Sequence, residues 1–137
     1  MSTDEPRWRL LVSLHARVEN ELGKALQRRH GLGLSEYRAL SRLADGSSVR
    51  MQELADSLCL NQSSVSRLVA RLDDAGLTLR DLCESDRRGI YTVITDNGRK
   101  RLAEAQPTYD ETLSAALDKA AADPDLASAV SAVRTLS

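Results

Sequence analysis

Apolar residues recur every three or four positions from Trp8 through Leu11, Leu14, Val18, Leu22 and Leu26. That is the period of a helix with one buried stripe. Pro6 stands where it can open this helix as its first residue. Gly31, in "HGLGLS", suits the left-handed position beyond a helix end. Ser35 reads as the next N-cap, with Glu36 favourable in the first turn. Tyr37, Leu40, Leu43 and Ala44 then predict a second, shorter helix, and "DGSS" (45–48) a turn. Met51, Leu54, Ala55 and Leu58 mark a third helix of about two turns. Asn61 caps a fourth, in which Val65, Leu68, Val69 and Leu72 follow the i, i+3, i+4, i+7 spacing.

After Gly76 the period changes. "LTLRDL" (77–82) and "IYTVIT" (90–95) are short runs rich in β-branched or apolar residues, separated by the charged "CESDRRG" (83–89). This predicts a hairpin with a long polar tip. Thr95 reads as the cap of a further helix, with Asp96 in its first turn. Leu102, Ala105, Tyr109, Leu113, Ala116, Leu117 and Ala120 keep one phase across Pro107, so one long kinked helix is expected. Asp123-Pro124 starts a last helix with Leu126, Val130 and Val133 as its stripe. The fold class is therefore mainly α, with one β-hairpin.

The outward face of the fourth helix is unusual. Opposite its apolar stripe stand Ser63, Ser64, Ser66, Arg67, Ala70 and Arg71, with Gln62 at the start. Serine is an indifferent helix former, so a face of short side chains asks for a reason. A short helix, a brief turn and a second helix make a helix-turn-helix unit, and 51–72 fits it: Ala55 is small where the helices would cross, and Leu54, Leu58, Leu60, Val65 and Leu68 fill the shared core. The turn carries Cys59 where glycine is frequent. A recognition helix enters a major groove about 12 Å wide, which favours small residues near its N-terminus. Serine hydroxyls and helix N-terminal amides hold phosphates, and arginine forks onto guanine.

A hairpin directly after such a unit is a wing. Its tip holds Asp86, Arg87 and Arg88, arginines suited to a narrow minor groove, with Asp86 able to brace Arg88. The run "SSVSRLVARLDDAGLTLR", then "DRR", then "ITDNGR" resembles the MarR family of bacterial transcription regulators, with Thr78 where that pattern has valine. "GLSEYRAL" looks like the family's second helix, and the likeness extends over nearly the whole chain. The resemblance implies a winged helix-turn-helix over 35–95 within a single domain, 1–137. Helices in 7–30 and 96–137 would dimerise. Expected partners are a pseudo-palindromic DNA operator, a second copy of the chain and a small-molecule effector that releases DNA. The expected DNA-binding residues are Gln62, Ser63, Ser64, Ser66, Arg67, Arg71, Asp86, Arg87 and Arg88.

Composition adds limits. The 137 residues suit one domain. The net charge of −1 carries no global nucleic-acid signature. From Asn61 to Arg101 eight Lys/Arg face six Asp/Glu, so the case rests on placement. Cys59 and Cys83 form neither zinc spacing nor a disulfide framework. Cys59, beside two leucines, reads as a small buried hydrophobe, and Cys83 opens the wing. The N-terminus is unlike a signal peptide and no run spans a membrane, so the expected compartment is the cytoplasm. No paired carboxylate, Cys–His pair, phosphate loop or metal spacing supports an enzyme, a cofactor or a metal. Arg71 has an alternative reading as an i+3 partner of Asp74, and the serines as a solvated face. Two other functions stay open: a winged-helix module docking protein partners, and a regulator sensing oxidants through cysteine.

Overall fold

The structure is a computed structural model that describes residues 2–46, 48–82 and 90–137. In chain order the elements are α1 (Asp4–His30), α2 (Leu34–Ala44), β1 (Val49–Arg50), α3 (Met51–Leu58), α4 (Gln62–Asp74), β2 (Thr78–Leu82), β3 (Ile90–Ile94), α5 (Asp96–Ala121) and α6 (Ala127–Thr135). The strands form one antiparallel sheet in the order β1-β3-β2. This is the mainly helical, hairpin-bearing fold that the periodicities predict. The packing separates two units: residues 1–31 with 107–137, and residues 32–106. Pro107 marks the division within α5, which nevertheless runs through it as one helix. No helix of the described residues is long and apolar enough to cross a membrane.

Several boundaries differ from expectation. α1 begins at Asp4 after Thr3, so Pro6 lies inside its first turn rather than opening it. The loss of its N–H costs nothing there, because first-turn amides have no intrahelical acceptor. Gly33, not Ser35, caps α2: its backbone is extended, and its carbonyl accepts the Tyr37 N–H at 2.9 Å. The Glu36 carboxylate lies close over Gly33, where a β-carbon would crowd it. α6 starts at Ala127. Residues 123–126 form a turn in which the Asp123 carbonyl accepts from Leu126 and Ala127 and its side chain accepts from Asp125. β1 is additional; two residues are too short to display any period.

The first unit packs α1 with α6 and the second half of α5. Leu14, Val18, Leu22, Leu26, Leu117, Leu126 and Val130 are buried in it. Arg17 reaches Asp123 at 3.3 Å, and Arg134 reaches Asp118 at 2.7 Å. His30 and Thr108 share a hydrogen bond of 2.8 Å. The second unit buries Leu32, Tyr37, Leu40 and Leu43 from α2 and its approach, Leu54 and Ala55 from α3, four residues of α4, and Thr92 from the sheet.

The passage from sheet to α5 depends on one glycine. Thr95 Oγ1 accepts the Gly98 N–H at 3.0 Å, so Thr95 caps α5 as expected, and its hydroxyl donates to the Gly76 carbonyl at 2.7 Å. The first turn of α5 is thereby pulled onto the strand start. A β-carbon on Gly98 would overlap the Leu77 carbonyl oxygen and crowd the Ile94 side chain. Backbone oxygen cannot swing aside as a flexible side chain can. Gly98→Ala is therefore expected to destabilise the protein by about 1–3 kcal/mol, the usual cost of overpacking. A urea titration should show a lower midpoint, and an unchanged midpoint would mean that this junction is not tight.

Candidate nucleic-acid interface

α3 and α4 pack as the helix-turn-helix spacing requires. Leu54, Ala55, Val65, Leu68, Val69 and Leu72 are all essentially inaccessible. The turn between them closes with paired hydrogen bonds, Leu60 N–H to the Ala55 carbonyl at 3.0 Å and Cys59 N–H to Asp56 at 3.2 Å. This is a Schellman end, and it puts Cys59 in the left-handed region at φ 56°. The same pairing ends α4, where Gly76 takes the left-handed position at φ 76°. The turn thus bends without glycine, at the expense of backbone strain. The geometry also turns Cys59 outward: it is exposed, not the buried hydrophobe that its leucine neighbours suggest. Sequence neighbours are a poor guide where the chain reverses direction.

Asn61 caps α4 as expected, its side chain accepting the Ser64 N–H at 2.8 Å. The Ser63 hydroxyl donates to the same oxygen at 2.9 Å. The burial of one face leaves the other outward: Gln62, Ser63, Ser66, Arg67 and Arg71 are exposed, and Ser64 is half-buried beside the cap. Ser63 and Arg67 are separated by one helical turn, about 6 Å along the axis. Among the described residues neither Arg67 nor Arg71 takes part in an ion pair, so the alternative Arg71–Asp74 pairing is not formed. Two α3 residues that the sequence did not single out join this face. Gln62 Nε2 donates to Gln52 Oε1 at 2.8 Å, and Gln52 Nε2 donates to Asp56 Oδ1 at 3.1 Å. Their proximity depends on how α3 and α4 cross, which no local pattern reveals.

The base of the wing is braced from α4. Thr78 is fully buried, and its hydroxyl donates to Asp73 Oδ1, while Arg80 Nε donates to Asp73 Oδ2 at 2.9 Å. A valine at 78 could not make the first of these bonds. Thr78 and Arg80 lie opposite Ile94 and Thr92 across the β2–β3 ladder. At the sheet's other edge Arg50 donates to the Tyr91 hydroxyl at 3.0 Å and lies over its ring, 5.4 Å from the centroid. Asp86, Arg87, Arg88 and Cys83 lie outside the described residues.

Residues 32–90 match the MarR family model. The chain is 30% identical over 80 residues to the HTH-type transcriptional regulator FarR of Neisseria gonorrhoeae, a match covering 58% of this chain and 55% of FarR. The chain thus spans little more than half the length of that relative. It is also similar to a MarR family transcriptional regulator from Streptomyces coelicolor solved in complex with DNA. That structure has a TM-score of 0.80 at 28% identity, with 98% of this chain and 89% of the other covered. CouR from Rhodococcus jostii RHA1, solved with p-coumaroyl-CoA, is 29% identical at a TM-score of 0.69, with 75% of this chain and 72% of CouR covered.

The strained turn gives a direct expectation. Cys59→Gly should stabilise the protein by about 0.5–1 kcal/mol, because relief of left-handed strain exceeds the extra chain entropy of glycine. The urea midpoint should rise. A fall would show that the thiol makes a stabilising contact greater than the strain.

Proposed function

We infer, from the MarR-family winged helix that residues 32–90 carry, that this chain is a DNA-binding transcription regulator. It acts as a homodimeric repressor on a pseudo-palindromic operator and is released by a small ligand. The observation that carries this reading is the division of α4: one face fully buried, the other an exposed surface of serines and two arginines without ion pairs. Such a helix has a fixed orientation, a low profile and unspent positive charge at the surface it offers.

On this reading Ser63 and Ser66 let α4 approach the floor of the major groove. Arg67 reads a base edge, guanine by preference, through its forked donors. Gln62 reads beside it, and Ser64 and Arg71 contact phosphates from the flanks. Arg87 and Arg88 at the wing tip enter the minor groove, with Asp86 bracing Arg88. None of these roles needs a large basic excess, which accords with the net charge of −1. A repressor follows from occlusion, because a dimer seated on its operator denies that stretch to other proteins.

The second copy is supported by what the first unit leaves uncovered. Leu14, Val18, Leu22, Leu117 and Val130 are used up in the protomer's own core, but Trp8, Leu11 and Val12 on α1, with Val133 and Leu136 at the other end of the chain, remain exposed. Apolar side chains in that number on one short unit suit a partner. A dimer presents two recognition helices, which must match major grooves about 34 Å apart. A small ligand that binds better to a mismatched arrangement then releases DNA by population shift. CouR, with p-coumaroyl-CoA bound, supports an effector of that general kind.

Two outcomes are expected. Selection from a random DNA pool should return a two-fold symmetric consensus for the wild type. Arg67→Ala should lose about 1–3 kcal/mol on the best site and relax one position, most readily a guanine. Arg71→Ala should weaken all sequences alike. If Arg67→Ala selects the wild-type consensus with undiminished discrimination, the serine face is not a base-reading surface. The second outcome concerns assembly. Leu11→Glu, at a position already exposed in the protomer, should convert dimer to monomer in sedimentation at micromolar concentration. A wild type that sediments as monomer would remove the dimer from this mechanism.

A further inference from the structure

The chain Asp56–Gln52–Gln62 links α3 to the first residue of α4 through two hydrogen bonds, Gln52 Nε2 to Asp56 Oδ1 at 3.1 Å and Gln62 Nε2 to Gln52 Oε1 at 2.8 Å. All three side chains are exposed, and none lies in the protein core. A glutamine amide on a surface ordinarily turns either end outward, since its oxygen accepts and its nitrogen donates. Here one end of the chain removes that freedom. An ionised carboxylate only accepts. Asp56 therefore draws the Gln52 nitrogen toward itself, which leaves the Gln52 oxygen for Gln62. That oxygen draws in the Gln62 nitrogen. The Gln62 amide is left with its oxygen and its second N–H to offer.

We propose that Asp56 and Gln52 are positioning residues that set the polarity of the Gln62 amide, making Gln62 a reader of adenine. The inference rests on the DNA-binding reading above. Adenine presents an N6 amino donor and an N7 acceptor in the major groove, which the Gln62 oxygen and its remaining N–H match together. Guanine presents two acceptors, O6 and N7, and the fixed amide meets O6 with an oxygen. The relay thus specifies by rejecting guanine as much as by binding adenine, the means by which unlike partners are told apart. Gln62 is the first residue of α4, at the end that enters the groove on this reading. Because both bonds are already made in the protein, the amide need not be ordered again on binding.

The test is competition binding of the full-length protein on its selected consensus and on single-base variants of it, with random duplex as the non-specific reference. Wild type should prefer adenine over guanine at one position in each half-site by about tenfold, within the range of one good bidentate pair. Gln62→Ala should abolish that preference and leave other positions intact. Asp56→Asn and Gln52→Leu should cut it by about threefold or more, chiefly by improved binding to guanine, because a freed amide can turn its nitrogen outward. Asp56→Glu, still an acceptor only, should retain it. The readout is the adenine-to-guanine ratio rather than overall affinity, because Asp56→Asn also removes a negative charge beside the DNA and should tighten binding to random duplex; a merely structural role would leave that ratio unmoved. Wild-type adenine preference at Asp56→Asn and Gln52→Leu alike would overturn the relay. Loss of a guanine preference in Gln62→Ala, or no loss at any base, would overturn Gln62 as the adenine reader. A wild type with no sequence preference would overturn the DNA-binding reading itself.

Discussion

The complete burial of one face of α4 is the constraint from which the candidate interface follows. Val65, Leu68, Val69 and Leu72 have no accessible surface to speak of, and each such burial contributes about 1.5–3 kcal/mol. Rotating the helix by even one residue, about 100° about its axis, would expose some of them and bury Ser66 or Arg67 instead. An unpaired arginine in an apolar core is far too costly for that alternative. The orientation of the outward side chains is therefore set from behind. Their own interactions, an Asn61 cap and a few exposed hydrogen bonds, adjust the surface without deciding which way it faces.

Two backbone devices then connect α4 to its neighbours. Its start follows a left-handed residue, Cys59, and its end precedes another, Gly76. The first Schellman pairing ends α3 and the second ends α4, each satisfying carbonyls that would otherwise lack partners, and the Asn61 cap sets where α4 begins. The C-terminal device leads at once into the sheet. Leu77 N–H closes on the Leu72 carbonyl at 3.0 Å, Thr78 bonds back to Asp73, and the Leu77 carbonyl receives Thr95 at 3.0 Å. Helix, strand and the next helix so share a few adjacent residues. Gly98 is required because that crossing leaves no volume for a β-carbon. The glycine of "ITDNGR" is thus a packing requirement of the winged unit rather than a loop breaker, since it lies inside α5.

The unit built from α1, the end of α5 and α6 has another economy. It buries Leu14, Val18, Leu22, Leu117, Leu126 and Val130 within one protomer and leaves Trp8 61% exposed and Leu11 45% exposed. Its stripe is wider than its core. The surplus apolar surface is the physical support for the second copy proposed above, and this unit's ion pairs of α1 and α6, exposed or half-exposed, contribute little by comparison.

Much of this was legible in the amino-acid sequence because it is local. The period of three to four in α1, α4 and α5, the short β-branched and apolar runs that begin after Gly76, the Asn61 and Thr95 caps and the end of α1 at Gly31 are all written within a few residues along the chain. The serine and arginine face of α4 belongs to the same class, since a helix places i+4 neighbours together wherever it lies. What only the tertiary structure decided involves partners distant in sequence or shorter than a period. β1 has two residues and exists through its pairing with β3. Cys59 is exposed because the turn reverses the chain there. Asp73 receives Thr78 and Arg80 across the start of the wing. Gln52 meets Gln62 only because α3 and α4 cross at that point: a ten-residue separation has no signature in periodicity, and the hydrogen bond is made where two local structures are brought together by their buried faces.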